Sequence, residues 1–150
     1  MKKESLYLET SVISAYFDER ELFKLESTRA YWRRLTQYDV CISKVVLTEL
    51  EAIKDAAMRG KALDLVKDYP LLEETEGDGI LSLEYISEGV IPRRYENDAR
   101  QIAIASVNGV DYLVSWNFEH IVKVKTRRMV SLINLKHGYK PIEIVTPSEL

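Results

Sequence analysis

The chain predicts an α/β domain built on a central parallel β-sheet, and three observations predict it. Short apolar runs recur at residues 5–8, 39–43, 112–114 and 142–145. Helix-like stretches separate every pair of them, the order that parallel strands joined by crossovers require. Tyr112-Leu113-Val114 is apolar at consecutive positions, as in a strand covered on both faces. A length of 150 residues suits one domain, residues 1–150, with a sizeable core.

The first strand, Ser5-Leu6-Tyr7-Leu8, runs into Glu9-Thr10-Ser11, and a helix begins at Val12 with Thr10 or Ser11 as its cap. Residues 21–37 form a second helix whose apolar positions are only loosely periodic. The second strand covers residues 39–43, and Ser43 caps a helix over residues 45–59, with Gly60 near its end. A short helix over residues 61–68, a strand within residues 70–75 and a helix over residues 79–87 follow. Residues 97–108 then read as a helix stopped by Gly109. The third strand leads to Ser115-Trp116-Asn117-Phe118, a short helix over residues 118–122, a longer one over residues 126–137 and the last strand.

Composition narrows the function. An apolar fraction of 46% with 30% charged residues is that of an ordinary soluble globular protein. A net charge of −3 argues against sequence-blind coating of nucleic acid, while leaving room for a local basic track around an acidic centre. The single cysteine, Cys41, precludes an internal disulfide and reads as a buried strand residue. No apolar run approaches the about 18 residues of a membrane span, and Lys2-Lys3-Glu4 opens no signal peptide. A cytoplasmic protein with no membrane association is expected.

Two helices carry inward acids. With Val45 at zero and about 100° per residue, Val46, Ile53, Ala56 and Ala57 fall between about 20° and 120°, and Glu49 falls at about 40° among them. Glu51 and Asp55 lie on the opposite side, near 240° and 280° by the same roughly 100° step. An inward glutamate is costly unless it is ion-paired or binds a cation. With Asp98 at zero, Ile102, Ser106 and Ala99 fall within about 100° on one side, which puts Asp98 at the edge of a packing face. Asp98 also lies in its helix's first turn, where a carboxylate is favoured. Glu9 and Asn117 each follow a strand's C-terminal end, where ligands collect in open α/β sheets.

Three carboxylates and an amide therefore converge if these strands are neighbours. Two carboxylates about 4 Å apart repel by something like 4 kcal/mol at an effective dielectric near 20. Such a cluster calls for a cation or shared protons. All-oxygen ligation without cysteine or histidine favours Mg²⁺ or Mn²⁺, a choice suited to phosphoryl chemistry. Arg93, Arg94 and Arg100, and separately Lys123, Lys125, Arg127 and Arg128, are candidate phosphate contacts, although solvated surface is the commoner role of such runs. Trp116 is read as core, and so is Phe118. His120 is read as a packed or surface histidine, and His137 as a cation favouring a helix C-terminus.

These motifs together resemble the PIN-domain family, metal-dependent ribonucleases that include the VapC-type toxins of toxin–antitoxin pairs. The resemblance is carried by Leu6-Tyr7-Leu8-Glu9-Thr10-Ser11-Val12, by residues 43–50 (SKVVLTEL) and by residues 97–105 (NDARQIAIA). Residues 111–121 (DYLVSWNFEHI) resemble the SWNF form of one bacterial and archaeal branch, as does Gly138-Tyr139-Lys140-Pro141-Ile142-Glu143-Ile144. It implies a three-layer α/β/α domain. It also implies metal ligands at Glu9, Glu49 and Asp98, supporting hydroxyls at Ser11 and Ser115, and hydrolysis of RNA by a metal-activated water. Two positions depart from the family pattern. Glu9 stands where most members have Asp, and Asn117 stands at the fourth acidic position, where an amide can still ligate through its oxygen or hold a water. The implied partners are an RNA substrate and an antitoxin protein, and a homodimer is expected. The helix over residues 21–37 could serve either protein contact. The alternative reading is a catalytically weak PIN domain that binds RNA or regulates.

Overall fold

The structure is a computed structural model and describes residues 2–150. Four parallel strands, β1 (Ser5–Leu8), β2 (Asp39–Cys41), β3 (Tyr112–Val114) and β4 (Glu143–Val145), pair in the order β2-β1-β3-β4. Leu6 pairs with Val40 on one side and with Tyr112 on the other, and Leu113 pairs with Ile144. Among the described residues seven α-helices flank the sheet: α1 (Thr10–Ala15), α2 (Leu22–Trp32), α3 (Lys44–Glu51), α4 (Ala56–Val66), α5 (Glu76–Ser87), α6 (Glu96–Val107) and α7 (Val124–Lys136). The α/β class and the parallel sheet are as the sequence predicts.

The chain steps from β1 to β2, then returns past β1 to β3. Right-handed crossovers in opposite directions put their helices on opposite faces, and the strand order reverses between β1 and β3. That reversal is where an open α/β sheet forms a crevice at its carboxyl edge. Leu6, Tyr7, Leu8, Leu113 and Val114 are wholly buried, so the central strands are covered on both faces. Cys41 is buried with them. Among the described residues no helix is long and apolar enough to cross a membrane.

Several boundaries differ from the sequence expectation. Residues 45–59 do not form one helix. The chain leaves α3 at Ala52, and Asp55 starts α4 by accepting a hydrogen bond from the Met58 amide at 2.9 Å. Gly60 lies inside α4, not at a helix end. The second helix stops at Trp32, with a 3₁₀ turn over Leu35–Gln37. Residues 70–75 contribute one isolated bridge, between Ile42 and Leu71. Residues 118–122 form turns instead of a helix, because the Asn117 carbonyl accepts from both Ile121 and Val122 amides, at 3.1 and 2.8 Å. Gly109 ends α6 with φ +69°, the left-handed stop that its position implies.

Candidate functional site

The site grows from the end of β1. The Glu9 amide donates to the Val114 carbonyl at 3.0 Å, fastening the first residue past β1 to the end of β3. Glu9 itself, rather than Thr10 or Ser11, caps α1, because its Oε2 accepts from the Ser11 amide at 3.1 Å. Its Oε1 accepts two hydroxyl protons, from Ser11 and Ser115, each at 2.5 Å. Both hydroxyls also accept: Ser11 Oγ takes the Trp116 amide at 2.8 Å and Ser115 Oγ takes the Asn117 amide at 2.9 Å. One buried carboxylate thereby orders the whole turn after β3. Burial, reinforced by the Asp98 charge and opposed by these hydrogen bonds, pushes Glu9 up to about 7.

Glu49 reaches inward from α3, as the wheel arithmetic has it. Its Oε1 accepts from Thr10 Oγ1 at 2.6 Å and from Gln101 Nε2 at 2.8 Å. Gln101 is fully buried, and its Oε1 takes the Tyr7 hydroxyl proton at 3.0 Å. Tyr7 thus donates to Gln101, which leaves Ser43 as the donor in the 2.8 Å Ser43–Tyr7 contact. A chain of hydrogen bonds therefore runs from Ser43 through Tyr7 and Gln101 to Glu49. Sequence reasoning missed Gln101. Its signal was its place one helical turn after Asp98, where side chains three apart share a face.

Asp98 lies half-buried in the first turn of α6, and its Oδ2 accepts from Asn117 Nδ2 at 3.3 Å. Burial comes first, then the charges of Glu49 and Glu119, and together they raise Asp98 to about 6. Glu119 is a second residue that the sequence reading passed over. Asn117 has both ends of its amide engaged, since Oδ1 accepts from the His120 amide at 3.0 Å. The oxygen that could ligate an ion or hold a water is therefore tied into the turn, and the nitrogen faces Asp98.

Glu9, Glu49 and Asp98 thus lie at the carboxyl edge of the sheet near the β1–β3 reversal, where the Asp98 charge acts on Glu9 and the Glu49 charge acts on Asp98. Each keeps one oxygen free of side-chain donors: Oε2 of Glu9, Oε2 of Glu49 and Oδ1 of Asp98. Among the described residues, no three Asp, Glu, His or Cys side chains close into a ready-made ligand cage. The donor set fits a hard divalent ion that takes single carboxylate oxygens and keeps several waters, which is the habit of Mg²⁺.

The basic candidates are scattered. Arg93 and Arg94 are exposed on a 3₁₀ turn just before α6, with Arg94 over the Tyr95 ring at 5.1 Å. Arg100 is ion-paired with Glu74. Lys123 and Lys125 are exposed at the start of α7. Trp116 is core as expected, with its indole N–H on Thr28 Oγ1 at 2.8 Å. Phe118 is not: it is half exposed, because the turn after Asn117 carries it out of the core. His120 is packed on Tyr95, with ring centroids 4.0 Å apart.

Fold and site define an α/β domain with an acidic centre at its strand reversal. By sequence, the chain matches no protein-family model and no curated protein. Solved structures match its fold. One is VapBC-5 of Mycobacterium tuberculosis, a member of the VapBC family of toxin–antitoxin systems, with TM-score 0.56 and 18% identity over 95% of this chain and 98% of that one. Another is VapBC2 from Rickettsia felis, bound to a DNA fragment from their promoter, with TM-score 0.61 and 16% identity over the same shares of the two chains. The chain shares their α/β, PIN-like fold.

Proposed function

We propose that this chain is a Mg²⁺- or Mn²⁺-dependent endoribonuclease acting as the toxin of a toxin–antitoxin pair. The observation that carries the reading is the meeting of Glu9, Glu49 and Asp98 at the strand reversal, with Glu9 and Asp98 both held above the usual carboxylate range. Fold neighbours that come from toxin–antitoxin complexes support the biological half of it.

Glu9, Glu49 and Asp98 would hold the ion. When bound, it supplies an activated water and offsets the charge that grows on phosphate oxygens. The chain's other residues position and discriminate. Ser11 and Ser115 fix Oε1 of Glu9 through their hydroxyls, and the Ser11 amide holds Oε2. Thr10 and Gln101 hold Oε1 of Glu49. Asn117 orients Asp98 without adding a negative charge. Arg93, Arg94, Lys123 and Lys125, in no ion pair among the described residues, are cations that an RNA backbone would meet, while Arg100 is committed to Glu74. A homodimer, an antitoxin partner and a cytoplasmic location belong to the same proposal.

The test is cleavage of a panel of RNAs with Mn²⁺, with chelator, and by Asp98→Asn. Cleavage that needs the metal and Asp98 supports the reading, and cleavage that survives both removes it. The engaged oxygen of Asn117 favours one second reading, a catalytically weak domain that binds RNA. Binding without turnover in Mn²⁺ is its signature.

A further inference from the structure

His120 is 9% exposed, yet its Nε2 is buried without a hydrogen-bond partner. Glu119 Oε1 stands 3.6 Å from that nitrogen, outside hydrogen-bond reach. A buried nitrogen left unpaired is unfavourable, so polarity is not what the ring contributes at this position. It contributes a flat face. The imidazole lies against the Tyr95 ring, with centroids 4.0 Å apart and planes 32° from parallel. Aromatic pairs at such spacing attract beyond the area they bury. Both rings stand on the segments that hold Asp98. Tyr95 is the residue from which α6 starts, and Asp98 lies in that helix's first turn. The His120 amide donates to Asn117 Oδ1, and Asn117 Nδ2 donates to Asp98 Oδ2. The His120 carbonyl accepts from Thr126 Oγ1 at 3.0 Å, which ties the same residue to the first turn of α7.

We propose that His120 is a positioning residue of the ion site. Its ring, stacked on Tyr95, holds the first turn of α6 against the Asn117 turn and so fixes where the Asp98 carboxylate stands. The inference rests on the reading of Glu9, Glu49 and Asp98 as ligands of one ion. Asp98 is the acid that needs such help. Glu9 accepts from two hydroxyls and an amide N–H, and Glu49 accepts from Thr10 and Gln101. Asp98 accepts from Asn117 alone among the described residues, at 3.3 Å. That is longer than the about 2.8 Å typical of a charge-assisted bond, so it is a weak tether. No side-chain cap secures the start of α6 either, which leaves packing to do it. The same Tyr95 ring also lies under Arg94, so the stack steadies a cation proposed to meet the RNA backbone.

The experiment is calorimetric titration of Mn²⁺ into wild type, His120→Ala, Tyr95→Ala, the double variant and His120→Phe. The Asn117 side-chain amide is followed by NMR in the metal-free proteins. Each single alanine variant is expected to bind Mn²⁺ about fivefold more weakly, the scale of one lost aromatic pair. The double variant should bind no more weakly than either single one, because all three lose the same contact. His120→Phe keeps a ring and should bind like wild type. Without metal, the Asn117 Nδ2 proton signal should move to the free-amide position in the alanine variants and stay in His120→Phe. Wild-type Mn²⁺ affinity in either alanine variant overturns the proposal, and so do additive losses. A His120→Phe that binds as weakly as His120→Ala also overturns it, because the nitrogen would then carry the role. If the wild type binds no Mn²⁺, the ion reading fails and the Asn117 signal alone judges the stack, which an unmoved signal overturns. Thermal melts check folding. Should His120→Ala not fold, Tyr95→Ala, at a half-buried position, and His120→Phe decide the matter.

Discussion

Replacing Asn117 by Asp tests the electrostatics of the site most sharply. The substitution keeps an oxygen to accept the His120 amide but turns the Nδ2 donor, 3.3 Å from Asp98 Oδ2, into a second anionic oxygen. Unit charges at that separation repel by about 5 kcal/mol at an effective dielectric near 20 and by about 1 kcal/mol in full solvent screening. Asp98 is half-buried, so the cost at pH 8 should fall between, at roughly 3 kcal/mol. For a chain of this size that lowers the melting temperature by roughly 10 °C in chelator. Below about pH 6 a proton can occupy one of the two acids and the penalty shrinks. A fourth carboxylate should also strengthen binding of a divalent ion, so saturating Mn²⁺ raises the variant's melting point by more than it raises the wild type's. The assay is a set of melts at pH 5 and 8, in chelator and in Mn²⁺. Identical melting points for Asn117→Asp and wild type in chelator, with the same Mn²⁺ increment, would refute the placement of Asp98 and Asn117 in one charged site.

The buried acid Glu9 makes stability depend on pH in an unusual direction. Its folded pKa, about 7, lies above the ordinary 4.5, so the folded state binds more protons and stability falls as pH rises through that window. The loss is about 3 kcal/mol for Glu9, and Asp98, raised to about 6, acts in the same direction. Urea unfolding of the metal-free protein should therefore give a higher midpoint at pH 5 than at pH 8, with a smaller difference in Glu9→Gln; a flat wild-type profile contradicts the burial of this charge. Gln101→Leu removes the donor to Glu49 and the acceptor of the Tyr7 proton. Leaving two buried polar groups short should cost roughly 2–3 kcal/mol in urea unfolding and weaken Mn²⁺ binding. Unchanged Mn²⁺ affinity would show that Glu49 needs no tether.

The strands were legible because each is a short apolar run that no helix pattern explains, and Ser5–Leu8 lies where the sequence puts it. Glu49 was legible because Val45 and Val46, which share its face, lie with it inside α3, although Ile53, Ala56 and Ala57, which completed that face on the wheel, lie beyond its end. The same wheel placed Asp55 on a solvated face of that helix, whereas Asp55, exposed as expected, lies past the end of α3 and caps α4. A short side chain that captures its own backbone can break a helix without any change in hydrophobic period. Phe118 was misread for a related reason. An aromatic residue after an apolar strand suggests core, but the Asn117 carbonyl draws the chain into a turn that carries the ring outward. Hydrogen-bond partners distant in sequence were the least visible. Nothing near Gln101 announces that it connects Tyr7 to Glu49 across 94 and 52 residues. The double role of Ser11 and Ser115, donating to Glu9 while accepting from the next turn, depends on the pairing of β1 with β3.

The central claim is that Glu9, Glu49 and Asp98 serve one ion. Calorimetric titration of Mn²⁺ into the wild type, Glu9→Gln, Glu49→Gln and Asp98→Asn tests it most directly. The expected result is one binding event in the wild type that weakens at least about tenfold in each variant, as losing one charged ligand should bring. Wild-type affinity in any one of the three variants would contradict it, because that carboxylate would then have no share in the site.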